Sequence, residues 1–83
     1  MYSIIYSDKV RKQLKKLPQN IQQRIIYTIE RCRIRPSSYI KKLVGNPYFS
    51  LRVGKYRIIM RIIKNELKIF VIEVGHRKNI YKN

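Results

Sequence analysis

The chain has 83 residues, of which 45% are hydrophobic, and its 20 Lys and Arg against four Asp and Glu give a formal net charge of +16. A chain this short forms a single domain, residues 1–83, because it cannot divide its apolar residues between two cores, and its apolar content argues against disorder throughout. The charge imbalance predicts a polyanionic partner, either nucleic acid or an acidic protein, and makes a membrane surface the weaker third choice.

Cysteine usage and the apolar segments indicate the compartment. Cys32 is the only cysteine, which excludes a disulfide framework and favours a reducing interior. The N-terminal stretch MYSIIYSDK lacks the basic start and long apolar run of a signal peptide. No segment approaches the roughly 20 apolar residues of a membrane span. We therefore expect a cytoplasmic protein that has no membrane partner.

The first elements are a strand and a helix. The β-branched and aromatic run YSIIY, residues 2–6, predicts a short strand. Ser7 can cap the helix that follows, and Asp8 in its first turn suits the helix dipole. Apolar residues then recur at i, i+4 and i+7, with Lys and Arg between them: Val10, Leu14 and Leu17. Pro18 ends this short amphipathic helix.

A second helix follows almost without a linker. It starts within residues 18–20 and is ended by Pro36. One side carries Ile21, Ile25, Ile29 and Cys32. Because the link between the helices is so short, they should form an αα-hairpin. The stretch PSSYIKKLVGNP, residues 36–47, is predicted to be a connecting loop.

From Tyr48 onwards the period becomes that of strands. YFSLRV leads into a tight Gly54-Lys55 turn, YRIIMRII returns, and KNE turns again into LKIFVIEV. In this last strand alternation predicts one face with Leu67, Ile69 and Val71, and the other with Phe70, Ile72 and Val74. A strand that is apolar on both faces should be central in its sheet and covered on both sides.

The predicted fold class is therefore α+β. It has an N-terminal strand, an αα-hairpin and a three-stranded antiparallel meander, with the helices packed on one face of the sheet. The second face should be covered at least in part by residues 76–83 or by a partner.

Two segments, LRVGKYRI (51–58) and VGHRKNIY (74–81), together with the Leu-Pro link between the helices, resemble the RelE/ParE toxin superfamily. The resemblance covers essentially the whole chain and implies a RelE-like fold and a toxin of a type II toxin–antitoxin system. RelE-like members cleave mRNA in the ribosomal decoding site, whereas ParE-like members inhibit DNA gyrase and are not nucleases. Either branch implies a small acidic, RelB-like antitoxin in a heterodimer or heterotetramer, and the first also implies the ribosome and mRNA as partners.

The resemblance also implies site residues. In the RelE pattern an arginine follows the tyrosine at the start of a strand, here Arg57, and a second arginine follows the last strand, here Arg77. A tyrosine of the C-terminal segment stacks near the substrate, and Tyr81 is the candidate. RelE-like nucleases carry lysines before the hairpin, where this chain has Tyr48, Ser50 and Arg52. The remaining phosphate-binding candidates are basic residues nearby: Lys41, Lys42, Arg52, Lys55, Arg61 and Lys78.

The chemistry implied by this pattern needs no cofactor and no metal. RNA brings its own nucleophile, the 2′-hydroxyl, so the protein supplies a general base, a general acid and cations for the charge that develops around phosphorus. Arginine is permanently charged and forked to match phosphate oxygens, and alternation puts Arg57 and Arg61 on one strand face. His76, the only histidine, is the local candidate for proton transfer. Four scattered acids with one His and one Cys form no recognisable metal-ligand set.

Simpler interpretations stay open. Arg57 can be an ordinary strand cation, His76 a local hydrogen-bonding neighbour, and Tyr81 a residue that packs on the uncovered sheet face. At the level of function, a RelE-like endoribonuclease is the first hypothesis, and a gyrase inhibitor, favoured by the missing lysines, is the alternative. A general RNA-binding accessory protein follows from charge alone and needs no site.

Overall fold

The structure, a computed structural model, describes residues 1–43, 45 and 47–76. The elements in chain order are β1 (Ser3–Tyr6), α1 (Asp8–Lys15), α2 (Gln19–Arg31), a 3-10 turn (Pro36–Ser38), β2 (Ile40–Lys42), β3 (Phe49–Val53), β4 (Tyr56–Ile63), a second 3-10 turn (Lys64–Glu66) and β5 (Lys68–His76). The strands form one sheet in the order β1-β5-β4-β3-β2. Two helices and this sheet confirm the predicted α+β class.

The sheet is antiparallel except at one edge, where β1 runs parallel to β5. As predicted, β5 lies inside the sheet and not at its edge, with β1 on one side and β4 on the other. The Gly54-Lys55 turn that joins β3 to β4 is also as predicted. Gly54 has φ +58°, a left-handed conformation that glycine adopts without steric cost. None of the helices in the described part of the chain has the length and apolar composition that crossing a membrane requires.

Local capping fixes the start of α1, and the linker fixes the start of α2. The Ser7 hydroxyl accepts a hydrogen bond from the Val10 N–H at 3.1 Å, which satisfies one of the amides left unpaired at a helix start. Pro18 precedes α2 directly, so the short link between the helices is confirmed. However, α2 ends at Arg31 and does not extend to Pro36. The chain instead turns back to β1, where the Tyr2 N–H donates to the Arg33 carbonyl at 2.8 Å.

The core lies between the helices and one face of the sheet. Its buried members are Val10, Leu14, Ile25, Ile29, Cys32, Leu51, Val53, Ile58, Met60, Ile69, Val71 and Val74. Cys32 is fully buried, as predicted, and desolvation raises the pKa of its thiol to about 11. This thiol therefore acts as a small core residue and not as a reactive group.

The predicted loop over residues 36–47 is wrong for its middle part. Residues 40–42 form β2, the edge strand that pairs antiparallel with β3. Ile40 packs against the core. Three residues with a single apolar side chain carry no readable period. The strand therefore depends on the unpaired edge of β3, which is a tertiary effect that sequence alone does not show.

A bulge in β5 overturns part of the predicted alternation. Ile59 pairs with Glu73 but Met60 pairs with Val71, so β5 has one extra residue at this point. An extra residue reverses which side chains face each side of a sheet. Val74 therefore lies in the core with Ile69 and Val71, and its predicted place beside Phe70 and Ile72 is wrong. Leu67 was predicted to share a strand face with Ile69 and Val71 but lies 45% exposed in the turn that precedes the strand.

Candidate nucleic-acid interface

The sheet face opposite the helices, called here the open face, carries the strand cations. On β4 the residues that contact the core are Tyr56, Ile58, Met60 and Ile62. The residues between them point the other way, so Arg57 and Arg61 share the open face, as the sequence predicted. Arg57 is partly buried and its Nε is shielded from solvent, whereas Arg61 is exposed.

Two neighbouring strands add cations to this face. Arg52 of β3 is the direct partner of Arg57, and Lys41 of β2 is the partner of Ser50. Leu51 and Val53 pack in the core, so Ser50 and Arg52 between them face outward. The open face thus gathers four cations on three adjacent strands: Lys41, Arg52, Arg57 and Arg61. Strands β2, β3 and β4 themselves contain no Asp or Glu.

The pair formed by Arg52 and Arg57 has an energetic consequence. Like charges placed directly opposite each other on antiparallel strands are destabilising, by up to about 1 kcal/mol. A bound anion relieves this repulsion, and two guanidinium groups can together offer several N–H donors to the oxygens of one phosphate. The charges and the donor geometry of these two residues would therefore suit an anion.

The structure does not bring His76 to the same face as Arg57. His76 is the strand partner of Tyr56, and their rings meet edge to face with centroids 5.8 Å apart. Because Tyr56 packs against the core, this histidine lies on the helix side of the sheet. Gly75 is the residue opposite Arg57. The bulge in β5 is the physical reason, since without the extra residue His76 would have the opposite orientation.

Two predicted phosphate-binding lysines also lie away from the open face. Lys42 is opposite Phe49, which packs against the core, so Lys41 and Lys42 point to opposite sides of the edge strand. Lys55 is at the tip of the hairpin turn and lines a groove of about 470 Å³ that also includes Arg24 and Tyr56. Arg77, Lys78 and Tyr81 lie outside the described residues, so their roles stay predictions.

Three of the four acidic side chains are paired with other residues. Glu30 accepts hydrogen bonds from Arg33 and Tyr6, and the Arg33 guanidinium lowers the pKa of its carboxyl. Burial, with Glu30 nearby, raises the pKa of Tyr6 well above its ordinary value. Glu73 forms an ion pair with Lys9 at 3.4 Å, and Glu66 one with Lys68 at 3.5 Å. Within residues 1–43, 45 and 47–76, no three His, Cys, Asp or Glu side chains form a cluster that could hold a metal ion.

A second cationic surface was missed in the sequence. Arg31 stacks with Tyr27, four residues earlier on α2, and with Tyr39, which follows the 3-10 turn. The i, i+4 spacing of Tyr27 and Arg31 is a signal that sequence reading can find. The approach of Tyr39 depends on the course of the chain after α2 and has no local signal.

Comparison with known proteins decides the family. Residues 4–81 match the family model described as the ParE toxin of the type II toxin–antitoxin system, parDE. The chain belongs to this family. It is also 36% identical over 84 residues to Toxin RelE3 of Methanocaldococcus jannaschii, an alignment that covers 94% of this chain and 93% of that protein. The resemblance to the RelE/ParE toxin superfamily is therefore confirmed, and the chain is a RelE-like toxin of a type II system.

Solved structures agree with the fold. The toxin–antitoxin complex RelBE2 of Mycobacterium tuberculosis contains a chain that matches with a TM-score of 0.82 and 26% identity, over 92% of this chain and 98% of that one. A chain of the RelB–RelE complex of Methanococcus jannaschii matches with a TM-score of 0.70 and 33% identity, over 93% of this chain and 94% of that one. These matches confirm the predicted RelE-like fold.

Proposed function

We propose that this toxin is an endoribonuclease that cleaves mRNA in the ribosomal decoding site. The observation that carries the proposal is the open face, where Lys41, Arg52, Arg57 and Arg61 form a cationic surface on strands that contain no acidic residue. Such a surface suits the phosphates of an RNA strand. The similarity to Toxin RelE3 supports the same choice.

The proposed reaction is a metal-independent transfer within the RNA. The 2′-oxygen attacks the adjacent phosphorus as a general base removes its proton, and the bond from phosphorus to the 5′-oxygen breaks as a general acid protonates that oxygen. The products are a 2′,3′-cyclic phosphate and a 5′-hydroxyl. Arg57 and Arg52 hold the non-bridging oxygens, Arg77 stabilises the added charge at phosphorus, and Tyr81 stacks near the scissile nucleotide.

Among the described residues, no histidine lies beside Arg57 on the open face to transfer a proton. His76 has suitable chemistry, but its ring lies against Tyr56 on the helix side of the sheet. To reach a phosphate held by Arg57 it must turn around the end of the sheet. We therefore propose that His76 is an auxiliary residue and that cation-mediated stabilisation carries most of the catalysis.

The proposed partners follow from charge and from the structural relatives. The relatives include RelB–RelE complexes, and a net charge of +16 suits a small acidic antitoxin, in a heterodimer or heterotetramer. During cleavage the partners are the mRNA and the ribosome. This function places the protein in the cytoplasm.

The deciding experiment compares wild type and Arg77→Ala after induction in cells. Mapping the 5′ ends of a translated message should show new ends inside the reading frame for wild type and none for the variant. Circular dichroism of the variant provides the control for folding. Growth arrest by Arg77→Ala with the same new ends would contradict the assignment.

A second function is favoured by one observation. On β3 the open face carries Ser50 and Arg52 and no lysine, which departs from the RelE-like nuclease pattern. A ParE-like inhibitor of DNA gyrase would leave messages intact and change plasmid supercoiling. Plasmid topology on chloroquine gels, measured in the same induced cells, separates this function from mRNA cleavage.

A further inference from the structure

An arginine in contact with two tyrosine rings marks a surface that the proposed cleavage site does not use. The Arg31 guanidinium carbon lies 5.9 Å from the centroid of the Tyr27 ring and 5.0 Å from that of Tyr39. Its Nη2 donates a hydrogen bond to the Tyr39 hydroxyl at 3.3 Å. Tyr27 is nevertheless 66% exposed and Tyr39 39% exposed. Much of both rings therefore faces solvent.

A groove lies beside this stack. It has a volume of about 350 Å³ and lies between the C-terminal end of α2 and the Pro36–Ser38 turn. Besides Arg31 and Tyr39 it is lined by Ile34, Arg35 and Ser38. This volume lies within the range of roughly 300–1,000 Å³ that is usual for small-molecule sites. Ile34 is 71% exposed, so an apolar side chain, a hydroxyl and two guanidinium groups are accessible together.

Among the described residues, no carboxylate neutralises the charge of the groove. Neither Arg31 nor Arg35 forms an ion pair with any carboxylate of the described residues. Glu30, the acid nearest in sequence, is bound to Arg33 and Tyr6. An internal clamp that ties the turn to α2 would account for the contact between Arg31 and Tyr39. It would not account for the exposure of Tyr27 and Ile34, or for a second arginine in the groove.

We propose that this groove binds one nucleotide of single-stranded RNA, at a site separate from the open face. Arg35 binds the phosphate, and the base stacks on the aromatic rings, with Arg31 extending the stack. Tyrosine rings and guanidinium planes are the groups on which unpaired bases stack, and every base offers a suitable face. The groove belongs to the helix layer, whereas Arg57 lies on the opposite face of the sheet, so one RNA molecule would have to contact two sides of the protein.

The test measures RNA binding and not cleavage, so its outcome does not depend on whether the protein is a nuclease. The probe is a fluorescein-labelled single-stranded RNA that is 2′-O-methylated throughout and cannot be cleaved by 2′-hydroxyl attack. Anisotropy titrations of the full chain are made at several KCl concentrations. The variants are Tyr27→Ala/Tyr39→Ala, Tyr27→Phe/Tyr39→Phe and Arg35→Ala, with Lys12→Ala as a control for an exposed cation on α1.

Stacking and charge give different signatures. Loss of a base stack weakens binding by roughly five- to 150-fold, so the double alanine variant should bind at least about tenfold more weakly with an unchanged salt slope. The phenylalanine variant retains the rings and should bind like wild type. Arg35→Ala should reduce the slope of log K against log salt by about 0.7, the value for one phosphate contact on a single strand. Lys12→Ala should change neither quantity.

Two results would overturn the proposal. One is that the double alanine variant binds RNA with wild-type affinity while circular dichroism shows that it is folded. In that case the exposed rings would contact an acidic protein partner and not RNA. The other is an equal loss for Arg35→Ala and Lys12→Ala, which would mean that RNA binds to the overall charge and not to this groove.

Discussion

The two faces of the sheet differ in composition: one packs against the helices in the core, and the other carries the cations of the strands. On the helix side of β4, Ile58 and Met60 are fully buried. The open face of the same strand carries Arg57, which is the direct partner of Arg52 on β3, and Arg61, with the buried Ile59 between them. The side chains of one strand thus alternate between the core and the cationic face. Charge can accumulate on such a small domain because most of the buried apolar side chains lie on one side of the sheet.

The largest expected effect tests the packing side. Ile58→Ala removes a fully buried side chain and should lower the free energy of unfolding by about 2–5 kcal/mol, because the cavity can close only in part. Ile5→Ala is the matched change on β1, at a residue that is 40% exposed, and should cost below about 1 kcal/mol. Urea denaturation followed by circular dichroism measures both. Equal losses would contradict the division between the faces.

The second-largest expected effect is a loss of mRNA cleavage when a cation of the open face is replaced. Arg57→Ala should reduce mRNA cleavage in a translation extract by about 100-fold or more, because removal of one preorganised donor to a developing charge typically has this effect. Arg57→Lys should restore only part of the rate, since it retains the charge but loses the forked donor geometry. Arg61→Ala, on the same face but farther along β4, is the matched control. A loss for Arg61→Ala as large as for Arg57→Ala would mean that total charge and not position matters.

Two neighbouring lysines on β2 allow the two faces of the sheet to be compared directly. Lys41 lies on the open face and Lys42 on the helix side, although both are exposed. Lys41→Ala should weaken RNA binding a few-fold and lower its salt dependence by about one phosphate contact, while Lys42→Ala should leave both unchanged. Titrations with uncleavable RNA at several salt concentrations measure this. Identical losses for the two variants would favour the general RNA-binding protein that charge alone predicts.

The sequence predicted those parts of the fold that repeat locally. Helical spacing found both helices, Ser7 marked the start of α1, and Gly54-Lys55 marked the hairpin turn. Strand β2 was missed because its pairing depends on the edge of β3. The bulge was missed because an extra residue in a strand that is apolar on both faces leaves no break in the pattern.

The same limits apply to the site. Alternation placed Arg57 and Arg61 together because β4 is regular, and the pairing of Arg52 with Arg57 follows from the tight turn between their strands. Past the bulge simple alternation no longer holds, so His76, the candidate for proton transfer, lies on the helix side and not beside Arg57. Tyr39 could not be linked to Arg31 at all, since the two meet only through the path of the chain after α2.

The smallest expected effect comes from the residue that the bulge displaced. A histidine that acts as general acid or base contributes about 100- to 10,000-fold to a rate. The His76 ring lies against Tyr56 on the helix side. We therefore expect His76→Ala to cleave mRNA at a rate within about threefold of the wild-type rate, a loss far smaller than that range. Cleavage rates measured across pH 5–8 make the test sharper, since a histidine that carries the proton would give a limb of the pH profile that the alanine variant lacks. A 100-fold loss together with disappearance of that limb would show that His76 turns around the end of the sheet to reach the phosphate. An unchanged profile would leave catalysis to the cations of the open face and to residues beyond His76.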